Sequence, residues 1–193
     1  MTTTVHATGA IPQGWLKRYY FMRALFSIAW VTSALVLGTR APAIAAALLV
    51  IYPAWDAAAN WLDARRSGGL AANRTQRINA WASGLATVAV ALALTSGMGA
   101  VIGVVGVWAV ASGLLQLGTA VRRWKTHGAQ WVMILSGAQS ALAGGLFVAQ
   151  SRMATPPSIA NVAGYAGVGA LYFLVSAVWL AVQDARRGRG QAA

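Results

Sequence analysis

YPAWDAAANWLDARR (residues 52–66) decides the fold, because the chain writes the same helix end twice more, as WAVASGLLQLGTAVRR (108–123) and YFLVSAVWLAVQDARR (172–187). In each copy an aromatic residue (Tyr52, Trp108, Tyr172) stands four positions before a small polar or acidic one (Asp56, Ser112, Ser176). Ten positions further comes an arginine: Arg66, Arg122 or Arg186. A serine upstream keeps the same register, since Ser27 precedes Tyr52 by 25 residues and Ser83 precedes Trp108 by 25. Ser136 precedes Tyr172 by 36, and the excess falls in a longer turn, SRMATPPS (151–158). Agreement of several spacings at once predicts a repeated unit of two helices. Every copy ends on the same side, so the repeats are parallel in topology and not inverted.

Each copy closes a long apolar run. The chain of 193 residues is 58% hydrophobic and only 9% charged, far below the roughly 25% charged residues of soluble domains. A surface so poor in charge is explained by contact with a lipid bilayer. Spanning the hydrocarbon core takes roughly 20 apolar residues of helix, and six windows provide them: 21–38, 43–62, 78–96, 99–121, 130–150 and 159–182. The predicted fold is an all-α integral membrane protein of six transmembrane helices built as three hairpins. A tail of residues 1–16 precedes a bundle over 17–187, with repeats at about 21–66, 78–123 and 130–187, and residues 188–193 form a second tail. The short links at 39–42 and 97–98 predict antiparallel neighbours within the first two hairpins.

Direction follows from the basic residues. Thirteen of the fifteen precede or open helix 1, lie between helices 2 and 3 or between helices 4 and 5, or follow helix 6, leaving Arg40 and Arg152 on the other side. Lysine and arginine are retained on the cytoplasmic side, which predicts cytoplasmic termini in a bacterial inner membrane. The same clustering removes nucleic acid as a partner: the charge of +12 forms no stripe along a polar face. The opening MTTTVHATGAIPQGW lacks the basic start and apolar run of a cleavable signal. Trp15, Tyr19 and Tyr20 beside Lys17 and Arg18 instead predict an interfacial anchor.

Chemistry is sparsely represented. The chain has no cysteine, and its two histidines, His6 and His127, fall outside the apolar windows. Thiolate metal sites, disulfides and histidine-ligated intramembrane haem are therefore excluded. Phosphate loops, zinc spacings and nucleophile–base pairs are absent as motifs. The expectation is no enzyme, no catalytic residue, no cofactor and no metal.

One intramembrane polar site stands out. Asp56 lies seven residues inside Asp63, about 10 Å deeper along a helix. A carboxylate there costs at least ~2.5 kcal/mol on insertion scales and needs an interior partner. Tyr52, Asp56, Asn60 and Asp63 share one face by helical spacing. Folding the first hairpin about Pro42 brings Ser27 level with Asp56 and Arg23 level with Asn60. Arg23 is then within reach of Asp56 as a structural ion pair locking helix 1 to helix 2; the alternatives are a protonatable group on a relay, a contact for a partner, or an acid facing a wet crevice. Pro53, one turn before Asp56, lacks an amide proton and predicts a bend in helix 2.

Small residues at intervals of four (Gly99 and Gly103; Ser136, Ser140 and Gly144) predict close helix contacts in lipid. The same faces would also serve a homo-oligomer or a membrane-protein partner. Gln116 and Gln139 are placed as interhelical ties, and Trp61, Trp81, Trp124 and Trp131 as an interfacial belt.

The hairpin starting RALFSIAW (23–30), the run QWVMILSGAQSALAGGLF (130–147) and the closing GALYFLVSAVWLAVQDARR (169–187) together resemble the HdeD-like family of small bacterial inner-membrane proteins. The resemblance spans the chain after about Trp15 and rests on position and composition. It implies six spans built from hairpin repeats and an accessory role in envelope or acid stress, and it carries over no catalytic residue. Pro53 and Asp56 depart from the simpler members. The alternative function is a small channel or carrier passing protons or a solute by Asp56. A carrier predicts a polar cavity crossing several helices with Asp56 facing it, and an accessory protein predicts a tightly packed centre with Asp56 sealed against Arg23.

Overall fold

Apolar runs too long for a turn and too rich in alanine and leucine for strands fold as helices. A computed structural model describes residues 13–125, 129–155 and 157–190. His6, His127, Pro156 and most of the first tail lie outside the described residues. Six long helices are present: α1 (Gln13–Ser33), α2 (Pro42–Arg66), α3 (Arg74–Ala93), α4 (Met98–Arg123), α5 (Gln130–Gln150) and α6 (Ile159–Gly190). Each of the six is long and apolar enough to cross a membrane, and the described residues contain no strand. Helical hydrogen bonding outlasts the apolar windows, so α1 begins at Gln13 and α6 runs on to Gly190.

Local chemistry sets the helix ends. Pro42 opens α2, where its missing amide proton would have had no partner in any case. Gly97 turns α3 into α4 at φ 98°, a backbone angle that a side chain would strain. The last turn of α1 widens into a π-helix over Ala34–Gly38, closed by Thr39 N–H donating to the Ala34 carbonyl at 3.1 Å. Within α2, Pro53 is almost fully buried and the helix continues through it.

The most extensive packing lies between hairpins. α2 packs along α3, α4 along α5, and α6 returns along α1, closing a ring. The α1 and α2 backbones approach closely mainly at the π turn; along the rest large side chains bridge them, with Phe26 on Trp55 at 4.3 Å and Trp30 on Tyr52 at 4.6 Å. α2 is thus a neighbour of α1 across the short link at 39–42, although the α1 backbone runs closer to that of α6. The separation leaves room for Arg23, Tyr52 and Asp56 between them.

The tightest crossing joins α4 to α5. A methyl added at Gly106 would sit 2.7 Å from the Gly144 carbonyl oxygen, and one at Gly113 would sit 2.6 Å from that of Gly137. These glycines recur every seven residues, two helical turns, which keeps them on one face of each helix. Of the small residues expected at contacts, Gly144 belongs to this crossing, and Ser140 donates to the Ala109 carbonyl at 3.1 Å. A methyl added at Gly103 would instead sit 3.4 Å from the Ser151 side chain, and Gly103 with Gly99 lines an apolar groove between α3 and α4.

The bundle is divided along its axis. At the end carrying most arginines (the basic end), the interior is polar. Toward the Arg40 and Arg152 end it becomes an apolar plug around Trp30, Leu49, Val90, Ile102, Val105 and Ala163, each 3% exposed or less. Leu25, Leu85 and Leu142 are about 70% exposed on the outside, the surface a bilayer would cover.

Candidate functional site

The chain holds only three acids, and each is paired with a base on another helix. Lys17 of α1 meets Asp184 of α6 at 2.6 Å, with both side chains about one-third exposed. A pair that wet contributes at most about 1 kcal/mol. The other two are buried and organise the interior.

Asp56 is the centre of the first. Its carboxylate is bonded by Arg23 Nη2 from α1, by Ser83 Oγ from α3 at 2.8 Å, and by Asn60 Nδ2 one turn along α2 at 3.0 Å. Asn79 Nδ2 lies further off, at 3.4 Å. Arg23 also donates to the Tyr19 hydroxyl at 3.0 Å and lays its guanidinium 4.3 Å from the centre of the Phe173 ring. Trp108 Nε1 donates to Ser83 Oγ at 2.9 Å, so a chain of bonds runs from α4 through α3 and α2 to α1. A buried carboxylate with several donors and a facing cation is the arrangement that offsets its desolvation.

The expected site residues all gather here. Ser27 and Tyr52 line the same mid-bundle chamber, and the Tyr52 ring lies tilted at 4.6 Å from Trp30 and meets Trp108 edge-on at 5.6 Å. Asn60 serves Asp56 twice, through its carboxylate and its backbone carbonyl. Gln116 reaches the Met133 carbonyl at 3.1 Å, and Gln139 accepts from Tyr172 at 2.8 Å, both across helices.

A second buried pair went unread in the sequence. Arg123 Nη2 meets Asp63 Oδ2 at 2.9 Å, and the side chains are 7% and 2% exposed. Asp63 also accepts from Trp15 Nε1 at 3.2 Å and Ser67 Oγ at 3.1 Å. Beside it, Arg122 donates to Gln76 Oε1 at 2.7 Å. Counted among the charges of a loop, Arg123 reads as a topology signal; folded inward on α4, it neutralises Asp63. A signal for this half did exist. Gln76, Asn79 and Ser83 fall three and four residues apart, which makes one polar stripe on α3.

Two chambers occupy the polar half. One, of about 50 Å³, lies mid-bundle and takes side chains from all six helices, among them Arg23, Asp56, Asn79, Ser112, Ser136 and Tyr165. The other, of about 40 Å³, sits nearer the basic end beside Asn60, Asp63 and Arg123. Arg23, Asn79, Gln116 and Phe173 line both and form the partition between them. Beyond the larger chamber the apolar plug begins. Among the described residues no cluster of three potential metal ligands occurs.

No family model matches the chain, and neither a curated protein nor a solved structure does.

Proposed function

We propose that this multi-pass membrane protein is of the HdeD-like type, resident in a bacterial inner membrane, with an accessory role in envelope or acid stress and no enzymatic turnover. The observation that carries this reading is the bonding of Asp56. Its carboxylate is held by Arg23, Ser83 and Asn60 below a plug of near-zero exposure, an arrangement suited to locking helices together. The three-hairpin repeat is supported by the spacings of residues 52–66, 108–123 and 172–187. The cyclic packing of α2 on α3, α4 on α5 and α6 on α1 supports it further. Both termini are cytoplasmic in this reading, on the strength of the thirteen basic residues at one end.

A proton-flux assay in proteoliposomes at acidic outside pH tests the role, with wild type and Asp56→Asn side by side. Flux no greater than that of empty liposomes in either protein fits the accessory role. Flux that is present in wild type and lost in a folded Asp56→Asn would replace it with conduction. The conduction reading, a carrier of protons or a small solute past Asp56, is favoured by the mid-bundle chamber drawn from all six helices.

A further inference from the structure

Interior polar groups in a membrane protein find partners, because hydrocarbon offers none. Among the described residues, four buried side-chain polar atoms have no hydrogen-bond partner: Arg23 Nε, Trp55 Nε1, Asn79 Oδ1 and Ser112 Oγ. All four residues line the mid-bundle chamber, and they come from four different helices. Unmet groups gathered around one cavity define a ligand by what they lack.

Their chemistry is specific. The guanidinium N–H of Arg23 and the indole N–H of Trp55 only donate, the Asn79 carbonyl oxygen only accepts, and the Ser112 hydroxyl does either. A complementary molecule must therefore carry both an acceptor and a donor. Charge narrows the class further. Arg23 and Asp56 already neutralise each other at the chamber wall. An added anion would face Asp56 and an added cation would face Arg23, each without a free counter-charge in a low-dielectric interior. Tyr52, Trp108, Tyr165 and Phe173 supply aromatic wall for a short apolar part. The volume of about 50 Å³ accommodates about three or four water-sized groups.

We propose that the mid-bundle chamber is a binding site for a small uncharged molecule bearing both a hydrogen-bond donor and an acceptor, of the primary-amide class. The amide oxygen accepts from the Arg23, Trp55 and Ser112 side, and its N–H donates to Asn79 Oδ1. Entry runs from the basic end through the smaller chamber, past the partition of Arg23, Asn79, Gln116 and Phe173. The chamber is the one the conduction reading would use, but binding requires no passage through the plug, so a bound amide and an absence of proton flux are compatible outcomes.

Three probes of equal size isolate the chemistry: acetamide (donor and acceptor), acetone (acceptor only) and acetate (charged). Saturation-transfer NMR on the full chain in detergent reads the contact of each with the protein, against detergent alone. Acetamide is expected to give a protein-dependent signal, with acetone and acetate at the detergent baseline. Trp55→Phe and Ser112→Val each remove an unpartnered group without breaking a protein hydrogen bond. They are expected to weaken acetamide binding at least fivefold at an unchanged melting temperature. Equal signals from the three wild-type probes would overturn the proposal, as would acetamide at baseline, which would leave the chamber to water. Undiminished acetamide binding in both variants would overturn it too.

Discussion

The indole N–H of Trp108 donates to the hydroxyl of Ser83 at 2.9 Å across 25 residues of chain, and the same hydroxyl donates to Asp56 at 2.8 Å. Ser27 and Tyr52 have the same separation in the first hairpin and line one chamber together. In the third hairpin the corresponding aromatic, Tyr172, bonds to Gln139 instead, three residues after Ser136. A spacing seen in sequence is thus the span of chain needed to bring a serine on one helix level with an aromatic on the next.

Ser83 holds two neighbours at once, so its loss should exceed the loss of either bond alone. Ser83→Ala leaves the Trp108 N–H unmatched and removes a donor from Asp56, for an expected cost of about 1–3 kcal/mol. Trp108→Phe should cost less through the hydrogen bond itself. In Ser83→Ala, the extra cost of Trp108→Phe should shrink. Thermal melts of the two singles and the double in detergent check this, and simple additivity would deny the coupling.

Arg23 and Asp56 should behave as a unit. Asp56→Leu strands a buried guanidinium and is expected to cost about 3–5 kcal/mol, whereas Arg23→Met combined with Asp56→Leu should recover much of that loss. Denaturation of both variants decides it. A double variant no more stable than Asp56→Leu would mean that the pair does not organise the α1–α2 contact.

The α4–α5 crossing has no room for a methyl group. Gly113→Ala and Gly144→Ala each place Cβ within 2.6 Å of opposing backbone and are expected to destabilise by about 1–3 kcal/mol. Gly145→Ala, whose Cβ would meet nothing within 4 Å, serves as the control and should change the melting temperature little. Similar melts for all three would place the crossing farther apart than described.

Orientation can be read chemically because the chain has no native cysteine. With the basic end in the cytoplasm, a membrane-impermeant maleimide added to intact cells should label Met153→Cys, exposed in the α5–α6 turn, and spare Ala71→Cys, exposed between α2 and α3. The reverse pattern would invert the protein.

The sequence by itself determined six membrane-length helices, the depth of Asp56, and the face it shares with Tyr52, Asn60 and Asp63. Those features follow from the period of one helix and the thickness of one bilayer, and neither needs a neighbour to be known. Only the tertiary structure decided which helices touch. Chain adjacency made α2 a neighbour of α1, yet the α1 backbone runs closer to α6, because bulky side chains such as Trp30, Tyr52 and Trp55 stand between α1 and α2. Packing likewise set Gly106, Gly113 and Gly137 beside the expected Gly144 and Ser140 at the α4–α5 crossing, and left Gly99 and Gly103 outside it. It also folded Arg123 inward onto Asp63, 60 residues away along the chain. Such partners lie on different helices, and their pairing is fixed by how the bundle closes, a quantity no single helix carries.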